Sequence, residues 1–118
     1  MIKLAANCGT AEILHEILHA LGFIHEQSRP DRDLYVKVLW ENVLPNFEMQ
    51  FQIVPESFIA PQLKDYEFDY QSIMLYSRDT FAKKPGLFTL ESLKSEAIHP
   101  TPSGLSELDL KRLDRLFH

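Results

Sequence analysis

The run His15-Glu16-Ile17-Leu18-His19-Ala20-Leu21-Gly22-Phe23-Ile24-His25-Glu26 constrains this chain more than any other feature. Residues four apart on a helix sit nearly above one another, so His15 and His19 point the same way. Glu16 is turned far enough from His15 to reach a water on a metal rather than the metal itself. Gly22 can take a positive φ, end the helix and turn the chain so that His25 comes back as a third ligand. Three protein nitrogens with a fourth position open is the arrangement of a catalytic zinc rather than a structural one.

An ordinary amphipathic helix is the competing explanation. Glu12, His15, Glu16 and His19 form one narrow polar stripe, and the residues between Ala11 and Leu21 are otherwise apolar. A merely wet face rarely uses two histidines, and it does not explain a third histidine and a second glutamate just past a helix-ending glycine. A bare HExxH is moderately specific. The extended form with glycine and a third histidine in register is far harder to reach by chance, so the metal reading is preferred.

The pattern H-E-x-x-H-x-x-G-x-x-H resembles that of the metzincin metallopeptidases, and further matches narrow the resemblance to the astacin family. Glu26 directly after the third histidine is similar to astacins, as is the run Gln27-Ser28-Arg29-Pro30-Asp31-Arg32-Asp33-Leu34-Tyr35-Val36. Asp69-Tyr70-Gln71-Ser72-Ile73-Met74-Leu75-Tyr76 resembles the family's Met-turn, and Leu105-Ser106-Glu107-Leu108-Asp109 the start of its C-terminal helix. The resemblance implies one zinc ion on His15, His19 and His25, with Glu16 as general base. It implies Met74 as the hydrophobic floor and Tyr76 as the tyrosine that ligates zinc at rest and swings away to stabilise the transition state. Leu75 stands where the family usually carries histidine, and Ser77 where glycine often follows the tyrosine. The implied fold is α+β, a zincin-like catalytic domain over residues 1–118 made mainly of the active-site helix and the C-terminal lobe. The implied activity is hydrolysis of internal peptide bonds in polypeptide substrates, in a secreted or extracellular setting.

One domain fits in 118 residues. A formal net charge of −5 argues against a nucleic-acid partner, and no apolar run reaches membrane-spanning length. Only residues 1–9 precede Thr10, the expected N-cap of the metal helix, and they lack the apolar core of a secretory signal. The N-terminal lobe of the implied fold is therefore expected to be missing, or supplied by a partner chain. Cys8, the single cysteine, matches a position that the resemblance pairs with a cysteine of that lobe; a partnerless structural cysteine is preferred to an inhibitory thiolate on zinc. Two other functions stay open: a weakly active or inactive zinc-binding remnant, and half of a split protein that needs a separate N-terminal lobe.

Elsewhere, Gln27 to Asp33 reads as a loop whose arginines pair with nearby acids rather than with substrate. Leu34 to Trp40 reads as a strand, and the alternation from Phe47 to Ile53 as another with one buried face. Pro55 and Pro61 bracket an irregular connection, and short strands are expected around the turn at 83–86. Ser106 and Asp109 form a capping box for a last helix, with Leu105 stapled to Leu110 and an apolar side of Leu110, Leu113, Leu116 and Phe117. His99 and His118 lie outside the motif and are expected to face solvent.

Overall fold

The computed structural model describes residues 10–63, 66–100 and 104–117. Cys8 and His118 lie outside them. Along the described chain, helices α1 (Thr10–Ala20) and α2 (Glu107–Phe117) come first and last, with a two-stranded antiparallel sheet of β1 (Val36–Val38) and β2 (Leu90–Ser92) and short 3-10 turns between them in sequence. The α+β expectation holds in this spare form.

Two apolar cores organise the chain. On α1, Leu14 and Leu18 lie one turn apart and pack with Phe23, Ile73 and Met74, against Leu113 and Leu116 of α2. Leu18 and Met74 are fully buried, each worth about 1.5–3 kcal/mol of transfer from water. The second core gathers Val36 and Val38 of β1, Leu90 of β2, and Val43, Phe51, Phe68, Tyr70, Leu75 and Ile98. In β1 the valines point inward while Lys37 faces out, directly opposite Glu91 of β2. The segment 70–76 joins the cores, giving Tyr70 and Leu75 to one and Ile73 and Met74 to the other.

Two expectations fail. The run from Phe47 to Ile53 contains a 3-10 turn at Glu48–Phe51, not a strand. Asn46 takes a left-handed φ of 74° and turns the chain beforehand. Met49 is then 73% exposed, whereas Phe47 and Phe51, one helical turn apart, both meet the Phe81 ring. The apolar spacing there serves i and i+4, not a pleat. Around the turn at 83–86 the pairing is slight, a single bridge from Ala82 to Val43 followed by β2.

α2 is also rotated from its expected face. Its capping box forms, with the Asp109 N–H donating to Ser106 Oγ at 3.0 Å and the Ser106 N–H donating to Asp109 Oδ2 at 3.3 Å. Yet Leu110 is 53% and Phe117 66% exposed, so neither belongs to the buried side of the helix. The inward stripe is Asp109, Arg112, Leu113 and Leu116, at i, i+3, i+4 and i+7, with the two charged residues buried.

Arg112 is buried because Glu26 is. The guanidinium donates from Nη1 to Glu26 Oε1 and from Nη2 to Glu26 Oε2, both at 2.9 Å. Glu26 Oε2 also accepts the Asp69 N–H at 2.7 Å, and Arg29 adds a longer bond at 3.2 Å. Burial alone would pull the Arg112 pKa down, but the Glu26, Asp109 and Asp69 carboxylates outweigh it and hold it above its ordinary value. Breaking such a pair strands a charge. Arg112→Met is expected to cost about 3–5 kcal/mol in urea unfolding, and Glu26→Gln added to it is expected to recover part of the loss. Equal stability of Arg112→Met and the parent would show the pair to be idle.

Candidate metal centre

α1 delivers His15 and His19 to one face, and the chain then reverses with a defined helix end. The Phe23 N–H donates to Leu18 O at 3.0 Å and the Gly22 N–H to His19 O at 3.1 Å, the two bonds of a Schellman motif. Gly22 supplies the left-handed residue, with φ 102°. Phe23 and Leu18 share one core, the apolar contact that usually accompanies such a cap. The return brings the His25 ring back over the helix. Its Nε2 lies 3.1 Å from His15 Nε2 and 3.2 Å from His19 Nε2. Among the described residues these three are the histidine, cysteine or carboxylate cluster with donor atoms close enough to share a metal.

The outer nitrogens fix the tautomers. His15 Nδ1 lies 2.8 Å from Ile73 O and His19 Nδ1 2.9 Å from Phe23 O. A carbonyl oxygen only accepts, so each Nδ1 carries the proton and each Nε2 turns a lone pair inward. Burial, opposed by the bond to Phe23 and aided by His15, lowers the His19 pKa. Burial beside the other two imidazoles pulls His25 down to about 3, so that ring is neutral at physiological pH. Three converging imidazole nitrogens are satisfied by a cation and poorly by each other. Zinc–nitrogen bonds of about 2.0–2.1 Å at tetrahedral angles separate their nitrogens by about 3.3 Å, close to the two spacings here. The residues fit a zinc ion.

Around the triad, Glu16 is half-buried on α1 and its charge acts on His19. The Tyr76 ring stands 4.8 Å from that of His25, and its hydroxyl reaches Gln50 Oε1 at 3.4 Å. Burial pushes the Tyr76 phenol above its ordinary pKa, which keeps it a hydrogen-bond donor. Met74 is fully buried, and its carbonyl accepts the Glu26 N–H at 3.0 Å. Leu75, in place of the family's histidine, is buried in the sheet core, and its N–H still closes the turn onto Ser72 O at 3.1 Å. Ser77 holds the following turn through Asp79 and Thr80. His99 is exposed, as expected.

The loop arginines pair locally. Arg29 grips Asp31 with two bonds of 2.9 Å, and Arg32 bonds to Asp33 at 2.6 Å while its Nη1 donates to the carbonyls of Gln27 and Phe51. Sequence reasoning missed three supports of the site. Gln27, fully buried, accepts the Tyr76 N–H at 3.0 Å; Arg112 holds Glu26; and Asp109 accepts from Ser72 and Ile73. For Asp109 and Arg112 the signal was available: they continue the i, i+3, i+4, i+7 stripe of Leu113 and Leu116, which apolar periodicity alone overlooks.

Comparison with known proteins agrees with this geometry. The model of the astacin family of peptidases matches residues 1–118. Zinc metalloproteinase nas-6 of Caenorhabditis elegans is 35% identical over 119 residues, covering 98% of this chain and 34% of its own length. Meprin A subunit alpha of Mus musculus is 39% identical over 121 residues, covering 99% of this chain and 16% of its own. This chain thus spans about a third or less of these curated relatives. High choriolytic enzyme 1, a hatching enzyme zinc-protease from Oryzias latipes, aligns in structure with a TM-score of 0.78 and 36% identity, over 91% of this chain and 52% of that one.

The helix end carries a prediction. An added Cβ at Gly22 meets nothing within 4 Å, so Gly22→Ala is opposed by backbone torsion alone. It is expected to cost about 1 kcal/mol in thermal or urea unfolding and to weaken metal binding, because the same turn presents both the Phe23 carbonyl and His25. Unchanged stability and affinity would show that the turn does not set the triad.

Proposed function

The chain belongs to the astacin family of peptidases, and from that premise we propose that it is a zinc-dependent endopeptidase acting on internal peptide bonds of proteins. The observation that carries this reading is the meeting of three Nε2 atoms, two with tautomers fixed by backbone carbonyls, beside a half-buried glutamate. In it His15, His19 and His25 hold the metal, and Met74 forms the apolar floor. Zinc bound there supplies a Lewis acid that polarises a carbonyl and brings the pKa of its water to about 7. Glu16 takes the proton of the attacking water and delivers it to the departing amine nitrogen. Tyr76, kept protonated by burial, leaves Gln50 and donates its hydroxyl hydrogen to the oxygen on which charge develops. Glu26 stays out of the chemistry and fixes the chain after His25 through Arg112 and Asp69. An extracellular site of action belongs to the same reading and rests on the family resemblance alone.

A second reading is that the chain binds zinc but hydrolyses peptides only beside further polypeptide. It is favoured by Ile17 and Leu21, each 38% exposed on or just past α1, so that part of the metal helix has no full apolar cover among the described residues.

The test is zinc content and cleavage of an unstructured protein substrate by the purified chain. Glu16→Ala is expected to retain zinc and lose at least about 100-fold in kcat. Tyr76→Phe is expected to retain zinc and lose about 100-fold in kcat with little change in KM. His19→Ala is expected to weaken zinc binding itself. A Glu16→Ala variant as fast as the parent overturns the proposed base. A chain that folds but takes up no zinc overturns the whole reading, and zinc without turnover favours the second one.

A further inference from the structure

A metal-ligating histidine works best when its other nitrogen donates to a strong acceptor, most often a carboxylate or a carbonyl. For His15 that acceptor is the Ile73 carbonyl, an ordinary peptide oxygen in a tight turn. The surroundings of that peptide are not ordinary. The Ile73 carbonyl belongs to the amide whose N–H is that of Met74. This N–H donates to Ser72 Oγ at 3.0 Å, and Ser72 Oγ donates in turn to Asp109 Oδ1 at 2.7 Å. Asp109 Oδ2 accepts the Ile73 N–H at 2.9 Å. Ser72 and Asp109 are both 0% exposed. The carboxylate thus grips the turn from both sides of Ile73, and its own position is set by the capping box at the start of α2.

Resting on the ligand set proposed above, we infer that Asp109 and Ser72 are positioning residues for the metal: they carry carboxylate charge to His15 through the Ile73–Met74 peptide. Each bond in the series polarises the next. The carboxylate makes the Ser72 oxygen a better acceptor. That oxygen draws on the Met74 N–H, and the amide places more negative charge on the Ile73 oxygen. A more negative carbonyl draws harder on the His15 Nδ1–H, and the Nε2 becomes a stronger and better aimed donor to a divalent cation. The bonds among Asp109, Ser72, Ile73 and Met74 are buried, where such polarisation is least screened, and the series ends at the half-buried His15 ring. His19 Nδ1 instead meets the Phe23 carbonyl, in the reversal after α1.

The experiment measures the zinc dissociation constant of the full chain by chelator competition, in the parent and in a His15→Ala background. Asp109→Asn in the parent is expected to weaken zinc by about 10–100-fold, and Ser72→Ala by about 10-fold. In the His15→Ala background neither change is expected to matter by more than about twofold, because the charge no longer has a ligand to act on. Glu107→Gln, on the exposed side of α2, is expected to alter neither. The same loss in both backgrounds means that Asp109 and Ser72 act on the fold alone, and no loss in the parent means that the series carries nothing; either result overturns the inference. If Asp109→Asn does not fold, Ser72→Ala decides, since it leaves the carboxylate and its bond to Ile73 in place. A His15→Ala chain that binds zinc as tightly as the parent instead overturns the ligand assignment of the proposed function, an outcome distinct from the others.

Discussion

Two backbone carbonyls, those of Ile73 and Phe23, take the Nδ1 protons of His15 and His19, and the geometry of the candidate metal centre depends on that choice. A neutral imidazole has one proton and one lone pair, so fixing the proton on the outer nitrogen aims the lone pair inward. Neither carbonyl is a side chain that substitution could place freely. One belongs to a tight turn and the other to the reversal after α1, so the tautomers are consequences of how two loops close. The site is built by backbone geometry before any side chain near it is considered.

The same logic explains why α2 buries charge. A helix that only covered α1 would present leucines along its whole inner face. This one alternates, giving Leu113 and Leu116 to the core and Asp109 and Arg112 to the two loops that carry the histidines' supports. A buried ion pair is weak evidence for stability, since desolvation offsets most of the attraction. Its value here is geometric. The bidentate grip on Glu26 fixes the backbone one residue beyond His25, and the carboxylate of Asp109 fixes the amides on both sides of Ile73.

Much of the centre is legible in the chain because the chemistry demands fixed spacing. Histidines four apart need a helix, and a glycine three residues on needs a left-handed turn; both are there. The capping box at Ser106 is equally plain, because it satisfies backbone groups within four residues. What fails is reasoning that uses hydrophobicity as the sole sign of burial. The alternation from Phe47 to Ile53 suggests a pleat, but only Phe51 is fully buried there and, among the described residues, no strand pairs with the run. Apolar spacing sends Leu110 to the core and leaves Asp109 as a cap alone, whereas the partners that make Asp109 an interior residue lie 36 and 37 positions away. The stripe shared with Arg112, Leu113 and Leu116 marks the face of Asp109, but contacts at that separation leave no local pattern that names its partners.

The segment 70–76 sends side chains into both apolar compartments while its peptide at Ile73 receives His15. A surface loop with such a duty could rearrange in nanoseconds; this one cannot move without opening two interiors together. Rearrangement at His15 is therefore slaved to cooperative breathing of the molecule, on the slow timescale of sub-global fluctuations rather than of rotamer hops.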